Sequence, residues 1–202
     1  MTTEHHNVRQ HILDTGKTII LSKGFAGVGL NEILTAAGVP KGSFYHYFKS
    51  KELFGVALLE DHVEQYLAQI ERLLNQQGQN AAQSLLDYWA SWEDGSAGYS
   101  DCSCLVVKLG SEVADMSEAM RTALLDGTNR IVARLADGIV QAVAEGSLPP
   151  TADAAHTALA LYQMWLGAAM LTKLRREPSA LRAAWRATVA TLGLPPDTQP
   201  RH

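Results

Sequence analysis

Residues 30–48, LNEILTAAGVPKGSFYHYF, admit few folds. Leu30, Ile33, Leu34 and Ala37 repeat at helical spacing and stop at Gly38, the residue type that enters the left-handed region a tight helix exit needs. Pro40 comes next, where a missing N–H costs little, and Lys41 to Phe48 then supply a second short helix of about two turns. Two helices this short cannot bury their apolar sides alone. Val39 is expected to plug the angle between them, and further helices must complete the core. The second helix opens on Gly42 and Ser43, flanked by Lys41, Tyr45 and His46, so its free backbone amides can approach a phosphate or a base edge closely.

The rest of the chain follows the helical period. Val8, Ile12, Thr15, Ile19 and Ile20 predict a helix over 7–23, closed by Gly24. Ser50 is the predicted N-cap of a long helix to about residue 76, and a helix over 81–92 runs into the loop-like cluster EDGSAG. Cys102 and Cys104 follow that cluster, with a helix predicted from Cys104. The stripe Met120, Leu124, Gly127, Ile131, Leu135, Ile139 and Val143 marks a further long helix ended by Gly146 and Pro149-Pro150. Helices over 151–176 and from Pro178 to about Leu192 complete an all-α reading, without a strand-like alternation or an internal repeat.

These helices belong to a chain of 202 residues, 47% apolar and 19% charged. At this length roughly 70% of the unfolded surface is buried, enough for one or two modest domains. No apolar run approaches the ~20 residues of a membrane span. The start MTTEHHNVRQHILDTGK lacks the basic-then-apolar order of a secretory signal, so a cytoplasmic protein without membrane contact is expected. The net charge of -4 argues against a protein that coats nucleic acid. Charge is unevenly spread, however: residues 1–60 hold six basic and five acidic groups, the remainder 11 and 16, and Lys41, Lys49 and Lys51 fall within one short stretch. A small basic face on an acidic chain suits contact with phosphate at one site.

The run GFAGVGLNEILTAAGVPKGSFYHYFKSKELF closely resembles the DNA-binding signature of the TetR family of one-component bacterial repressors, which closes on Tyr, an aromatic or His, Phe, then Ser-Lys-Glu. The resemblance covers about residues 9–60. It implies an all-α homodimer with a three-helix, helix-turn-helix DNA-binding head over residues 1–50 and a helical ligand-sensing and dimerisation domain over 51–202. It places Lys41, Gly42, Ser43, Tyr45 and His46 on a palindromic double-stranded operator, and Lys51 on a phosphate. Two heads related by a two-fold axis would read major grooves about 34–36 Å apart. Phe44, Tyr47 and Phe48 then belong to the core of the head, while His46 also fits a solvated surface position and Lys49 fits either role. Gly29 departs from the usual Ser or Thr before the second helix, at a cost of a few tenths of a kcal/mol. In such a protein the last two long helices pair across the dimer, with Trp165 or Trp185 as candidate anchors.

The second half carries candidate sensor chemistry. Cys104, at the start of its predicted helix, would have its thiolate favoured by the helix N-terminus, and Lys108 is one turn on. The stripe Leu159, Tyr162, Leu166, Ala169 and Met170 continues to Lys173, which puts an amine on or beside an inward face. CLVVKLGSEVADMSEAMR and LYQMWLGAAMLTKLRRE are similar to electrophile- and redox-sensing members of the family. That similarity places a sensor cysteine on Cys104 and its partner lysine on Lys173, and implies release of DNA by electrophiles or reactive chlorine. A thiolate attacks electrophiles, and its sulfenic acid condenses with nitrogen or a second thiol. Cys104 also fits a small buried hydrophobe, Lys173 a cation near a helix C-terminus, and the role of Cys102 stays open. Cys-Ser-Cys lacks the four ligands of a closed zinc site, so neither metal nor cofactor is expected. Trp89, Met120, Tyr162, Trp165 and Met170 either form core or line a pocket for a small apolar ligand, the alternative inducer. The remaining reading, a thiol enzyme using Cys104 and His156, lacks a group that would orient His156.

Overall fold

Glycine, proline and short polar side chains punctuate the chain where its helices end. The computed structural model describes residues 2–94, 99–150 and 153–199, with side chains over 7–92, 105–150 and 153–199. Among the described residues there are nine helices and no strand. They are α1 (Thr2–Lys23), α2 (Leu30–Ala37), α3 (Lys41–Phe48), α4 (Lys51–Leu74), α5 (Ala81–Asp94), α6 (Tyr99–Met116), α7 (Glu118–Ala144), α8 (Ala154–Arg175) and α9 (Ser179–Thr191). Packing groups them into two units: Met1–Glu64 with Lys108–Gly127, and Gln65–Val107 with Thr128–His202.

In the first unit the helix-turn-helix closes as its sequence requires. Gly38 adopts φ 63°, ψ 28°, and the Val39 N–H returns to the Leu34 carbonyl at 3.1 Å, ending α2. Val39 itself is half-buried, less enclosed than a plug. Between α3 and α4 the chain turns on a single residue. Lys49 sits at φ 61°, ψ -37°, and the Ser50 N–H reaches the Phe48 carbonyl at 2.6 Å. A non-glycine residue held in so tight a three-residue turn costs on the order of 1–3 kcal/mol. The Ser50 hydroxyl then accepts the Leu53 N–H at 3.0 Å, capping α4 as expected.

The core of this unit gathers Ile12, Leu13 and Ile20 of α1, Ile33 and Leu34 of α2, Phe44 and Phe48 of α3 and Phe54 of α4. The three phenylalanine rings lie 5.1–5.4 Å apart between centroids. Tyr47 is only half-buried. Gly16 leaves bare backbone against Phe54: a Cβ there would stand 2.4 Å from Phe54 Cζ. Gly55 is likewise covered by Met120 and Phe25.

In the second unit buried aromatic rings of α4, α5 and α8 meet. Trp89 and Trp165 stack at 5.4 Å, while Trp92 lies 5.8 Å from Trp165 and 6.3 Å from Tyr162. Tyr88 lies 4.6 Å from Trp89, and its hydroxyl hydrogen-bonds that of Tyr66 at 2.8 Å. The indole N–H of Trp165 donates to the Thr188 hydroxyl, joining α8 to α9. Trp165 and Trp185 are thus buried inside the subunit, and the expectation that either anchors a dimer is corrected.

Helix α8 also corrects its expected face. Its buried positions are Ala158, Leu161, Tyr162, Trp165 and Ala168, which share only Tyr162 with the stripe read from the sequence. Because α8 is apolar nearly all round, periodicity alone could not choose between its sides. Leu159, Met170, Leu171 and Leu174 are exposed, Leu174 at 72%.

Candidate nucleic-acid interface and regulatory site

Helix α3 divides cleanly into two faces. Phe44 and Phe48 turn inward, while Lys41, Gly42, Tyr45 and His46 are exposed and Ser43 is half-exposed. Lys41 Nζ stands 5.7 Å from the centre of the Tyr45 ring, and the His46 ring meets Tyr47 edge-on at 4.9 Å. At the start of α3, Pro40 has no N–H to satisfy, and nothing lies within 4 Å of the space a Cβ on Gly42 would fill. Five of the six residues expected on DNA are therefore brought together on the exposed side of one short helix. The arrangement can bind a phosphate on free amides and read base edges from Ser43, Tyr45 and His46.

Lys51 is the exception. Its Nζ donates to the Phe25 carbonyl at 2.8 Å and lies 4.6 Å from the centre of the Phe25 ring. Burial holds its ammonium below the ordinary lysine range, with the charge of Glu112 pulling the other way. Where the resemblance implies a phosphate contact, this structure gives Lys51 an internal one. The same corner holds two groups the sequence reading missed. The Glu112 carboxylate accepts the Phe25 N–H at 3.1 Å and the Ala26 N–H at 2.7 Å, and Lys108 Nζ donates to the Leu21 carbonyl. A Lys and a Glu one helical turn apart were the available signal, but sequence could not tell this pair from a solvated one.

The regulatory residues are placed less uniformly. Helix α6 begins at Tyr99, so Cys104 is its sixth residue and not its first. The electrostatic help of a helix start fades after the first turn, which removes that reason for an acidic Cys104 thiol; Cys102 is closer to the helix start. The side chains of Cys102 and Cys104 lie outside the described residues. Lys108, considered as a partner for the thiolate, is committed to Leu21. Lys173 is exposed in the last turn of α8, which leaves it beside the inward face and not on it. His156 is also exposed, in the first turn of α8, with its backbone N–H capped by Asp153 at 2.9 Å.

The five pocket candidates do not assemble. Trp89, Tyr162 and Trp165 fill the aromatic core of the second unit, Met120 belongs to the first unit beside Gly55 and Phe25, and Met170 is 48% exposed. A cleft of about 270 Å³ in the second unit is lined instead by other residues, among them Ile139, Val143, Leu148, Thr157 and Leu192.

Comparison with known proteins decides the family. A family model described as bacterial regulatory proteins of the tetR family matches residues 12–54, and one described as a tetracyclin repressor-like C-terminal domain matches residues 81–188. The transcriptional repressor NemR of Escherichia coli is 39% identical over 180 residues, which cover 89% of this chain and 90% of that protein. The chain belongs to the TetR family. It is thereby a DNA-binding transcriptional regulator, and α2 and α3 are the helix-turn-helix of a TetR-family head. The solved reduced form of Escherichia coli NemR has the same fold, with a TM-score of 0.85 and 37% identity over 93% of this chain and 99% of that one. A crystal structure of a TetR/AcrR family regulator aligns with a TM-score of 0.82 and 43% identity, again over 93% and 99%. No helix among the described residues of this TetR-family chain is long and apolar enough to cross a membrane.

Proposed function

We propose that the protein is a homodimeric repressor that binds a palindromic operator through α3 and is released when Cys104 is alkylated or oxidised. Residues 1–50 act as the DNA-binding part and residues 51–202 as the regulatory and dimerising part. The observation that carries the DNA-binding half is the open end of α3, where Lys41, Gly42, Tyr45 and His46 are exposed together while Phe44 and Phe48 hold the helix in place. Lys41 supplies sequence-independent phosphate affinity, and Ser43, Tyr45 and His46 supply the base readout. The exposed apolar side of α8, with Leu159, Met170, Leu171 and Leu174, supports pairing of two subunits there.

The thiol reading is supported by the similarity to a protein named as the repressor NemR, solved in a reduced form. In this reading the Cys104 thiolate adds across the C=C bond of a quinone or maleimide. A sulfur–carbon bond forms, and the adjacent carbanion takes up a proton. Lys173 is the partner that stabilises the thiolate or condenses with its oxidised form. Binding of reduced protein to its own upstream DNA, before and after N-ethylmaleimide or hypochlorite, tests this for wild type and Cys104→Ser. The expected result is release of wild type and retention by the variant; an equal response of the two would refute it.

A reversible apolar ligand is the second reading, favoured by the cleft beside Ile139 and Val143. Under it, blocking both cysteines leaves induction unchanged.

A further inference from the structure

The peptide at Phe25 is held from both sides. Its N–H is taken by Glu112 of α6 and its C=O by Lys51 of α4. Glu112 also takes the next amide, of Ala26, and Gly24 adopts φ 80° directly beneath the carboxylate. One turn earlier on α6, Lys108 reaches Leu21, a carbonyl in the last turn of α1, where helix carbonyls lack partners and a cation is favoured. All of these groups belong to the first unit. A carboxylate bound to two amides is a directional, charge-assisted contact, unlike an ordinary surface ion pair. It fixes the corner between α1 and α2, and α2 leads directly into α3.

Lys108 and Glu112 both reach this corner from α6, the helix that also carries Cys104. Along a helix, Glu112 lies about 12 Å beyond Cys104, a little over two turns on. The continuous hydrogen-bonded backbone of one helix connects the two positions.

We propose that Lys108 and Glu112 form a latch coupling α6 to the DNA-binding head, so that operator affinity depends on whether the latch is closed. Closed, it holds the 21–26 corner in the DNA-binding arrangement; a change in the first turns of α6 opens it. The proposal deepens the regulatory reading above and rests on it for the identity of the trigger, though not for the latch itself.

The test uses the full-length protein and a labelled duplex from its own upstream DNA. Operator Kd is measured for wild type, Glu112→Ala and Lys108→Met, with and without N-ethylmaleimide, alongside thermal melting and amide exchange at Phe25 and Ala26. In the untreated protein, Glu112→Ala is expected to raise Kd at least fivefold, and Lys108→Met by two- to threefold, with folded baselines retained. After treatment, Glu112→Ala and wild type converge, so the treated-to-untreated ratio shrinks in the variant. Exchange at the two amides speeds up both in Glu112→Ala and in treated wild type. A purely structural role would weaken both states equally and leave the ratio unchanged, which overturns the latch; so does release of treated wild type with unchanged exchange at Phe25 and Ala26. If N-ethylmaleimide leaves wild-type Kd unchanged, the thiol reading fails by itself. Exchange in the untreated variants then decides the latch: a raised Kd with faster exchange at Phe25 and Ala26 supports it, and a raised Kd without faster exchange, or wild-type Kd in both variants, refutes it. Lys108→Met, which keeps the aliphatic stem, carries the test if Glu112→Ala does not fold.

Discussion

The contact between Gly16 and Phe54 makes one substitution change sign with its location. Replacing a helical glycine by alanine ordinarily stabilises a protein by about 1 kcal/mol, because the unfolded chain loses freedom and the helix gains a better former. At Gly110, in the interior of α6, the new methyl would meet only Leu124, at 3.9 Å, an ordinary van der Waals distance. Gly110→Ala is therefore expected to stabilise by about that amount. At Gly16 the same methyl lands 2.4 Å from Phe54 Cζ and 3.2 Å from the neighbouring ring carbon. The Phe54 ring is fully buried and walled in by Phe44 and Phe48, so it has no space to yield. Overpacking of this kind costs about 1–3 kcal/mol, which outweighs the helical gain. The two variants should differ by about 1–3 kcal/mol, or roughly 2–12 °C in Tm at this chain length. Thermal and urea unfolding followed by circular dichroism measure the difference. In a Phe54→Leu background Gly16→Ala should lose its penalty, because the obstructing ring edge is gone. An increase in Tm for Gly16→Ala equal to that of Gly110→Ala, or an undiminished penalty in the Phe54→Leu background, would refute the packing argument.

Three further outcomes follow from the geometry. Lys41→Ala should weaken operator binding across all sequences and reduce the slope of log K against log salt by about 1, whereas Lys51→Ala should leave that slope unchanged and lower Tm; a reduced slope for Lys51→Ala would restore its phosphate contact. Gly29 precedes α2 with φ -79° and ψ 151°, no side-chain cap and open space around it, so Gly29→Ser should add a few tenths of a kcal/mol in urea unfolding, and a loss of stability would contradict the open geometry. Arg134 donates from Nε and Nη2 to the two Glu71 carboxylate oxygens, at 2.5 and 3.0 Å, and this hydrogen-bonded pairing holds the Glu71 carboxyl below its ordinary 4.5. A depressed folded-state pKa adds stability that is present above pH 4.5 and is lost as pH falls through the lower folded value, so wild type should lose stability relative to Glu71→Gln in that window; parallel profiles there would count against it.

What could be read from the chain tracks how local the determining physics is. Gly38, Pro40 and Ser50 act on their own backbone and immediate neighbours, and each ends or starts a helix where its residue type implies. The alternation of Phe44 and Phe48 with Tyr45 and His46 separates core from surface within two turns, so the exposed face of α3 was legible as well. Helix α8 was not, because Leu159, Leu161, Leu166 and Met170 are all apolar and only tertiary packing selects which side is buried. Lys51 shows a different limit. The family resemblance implies a phosphate contact for it, and its bond to the Phe25 carbonyl, from far along the chain, is not legible locally. Glu112 was invisible for the same reason, since its partners are two backbone amides 87 and 86 residues away. The start of α6 was misplaced because the turn-forming cluster EDGSAG is followed by Tyr-Ser-Asp, which also suits the first turn of a helix.

The aromatic core of the second unit has an optical consequence. All four tryptophans, Trp89, Trp92, Trp165 and Trp185, fall in that unit and are buried, and the unit containing the helix-turn-helix has none. Intrinsic emission excited near 295 nm therefore comes from the regulatory half alone, and the stacked Trp89–Trp165 pair makes it sensitive to small changes in ring spacing. Tyr45→Trp would add a fifth emitter on the DNA face. Comparing the two proteins during a titration with operator or inducer would separate in time what happens in each of the two units.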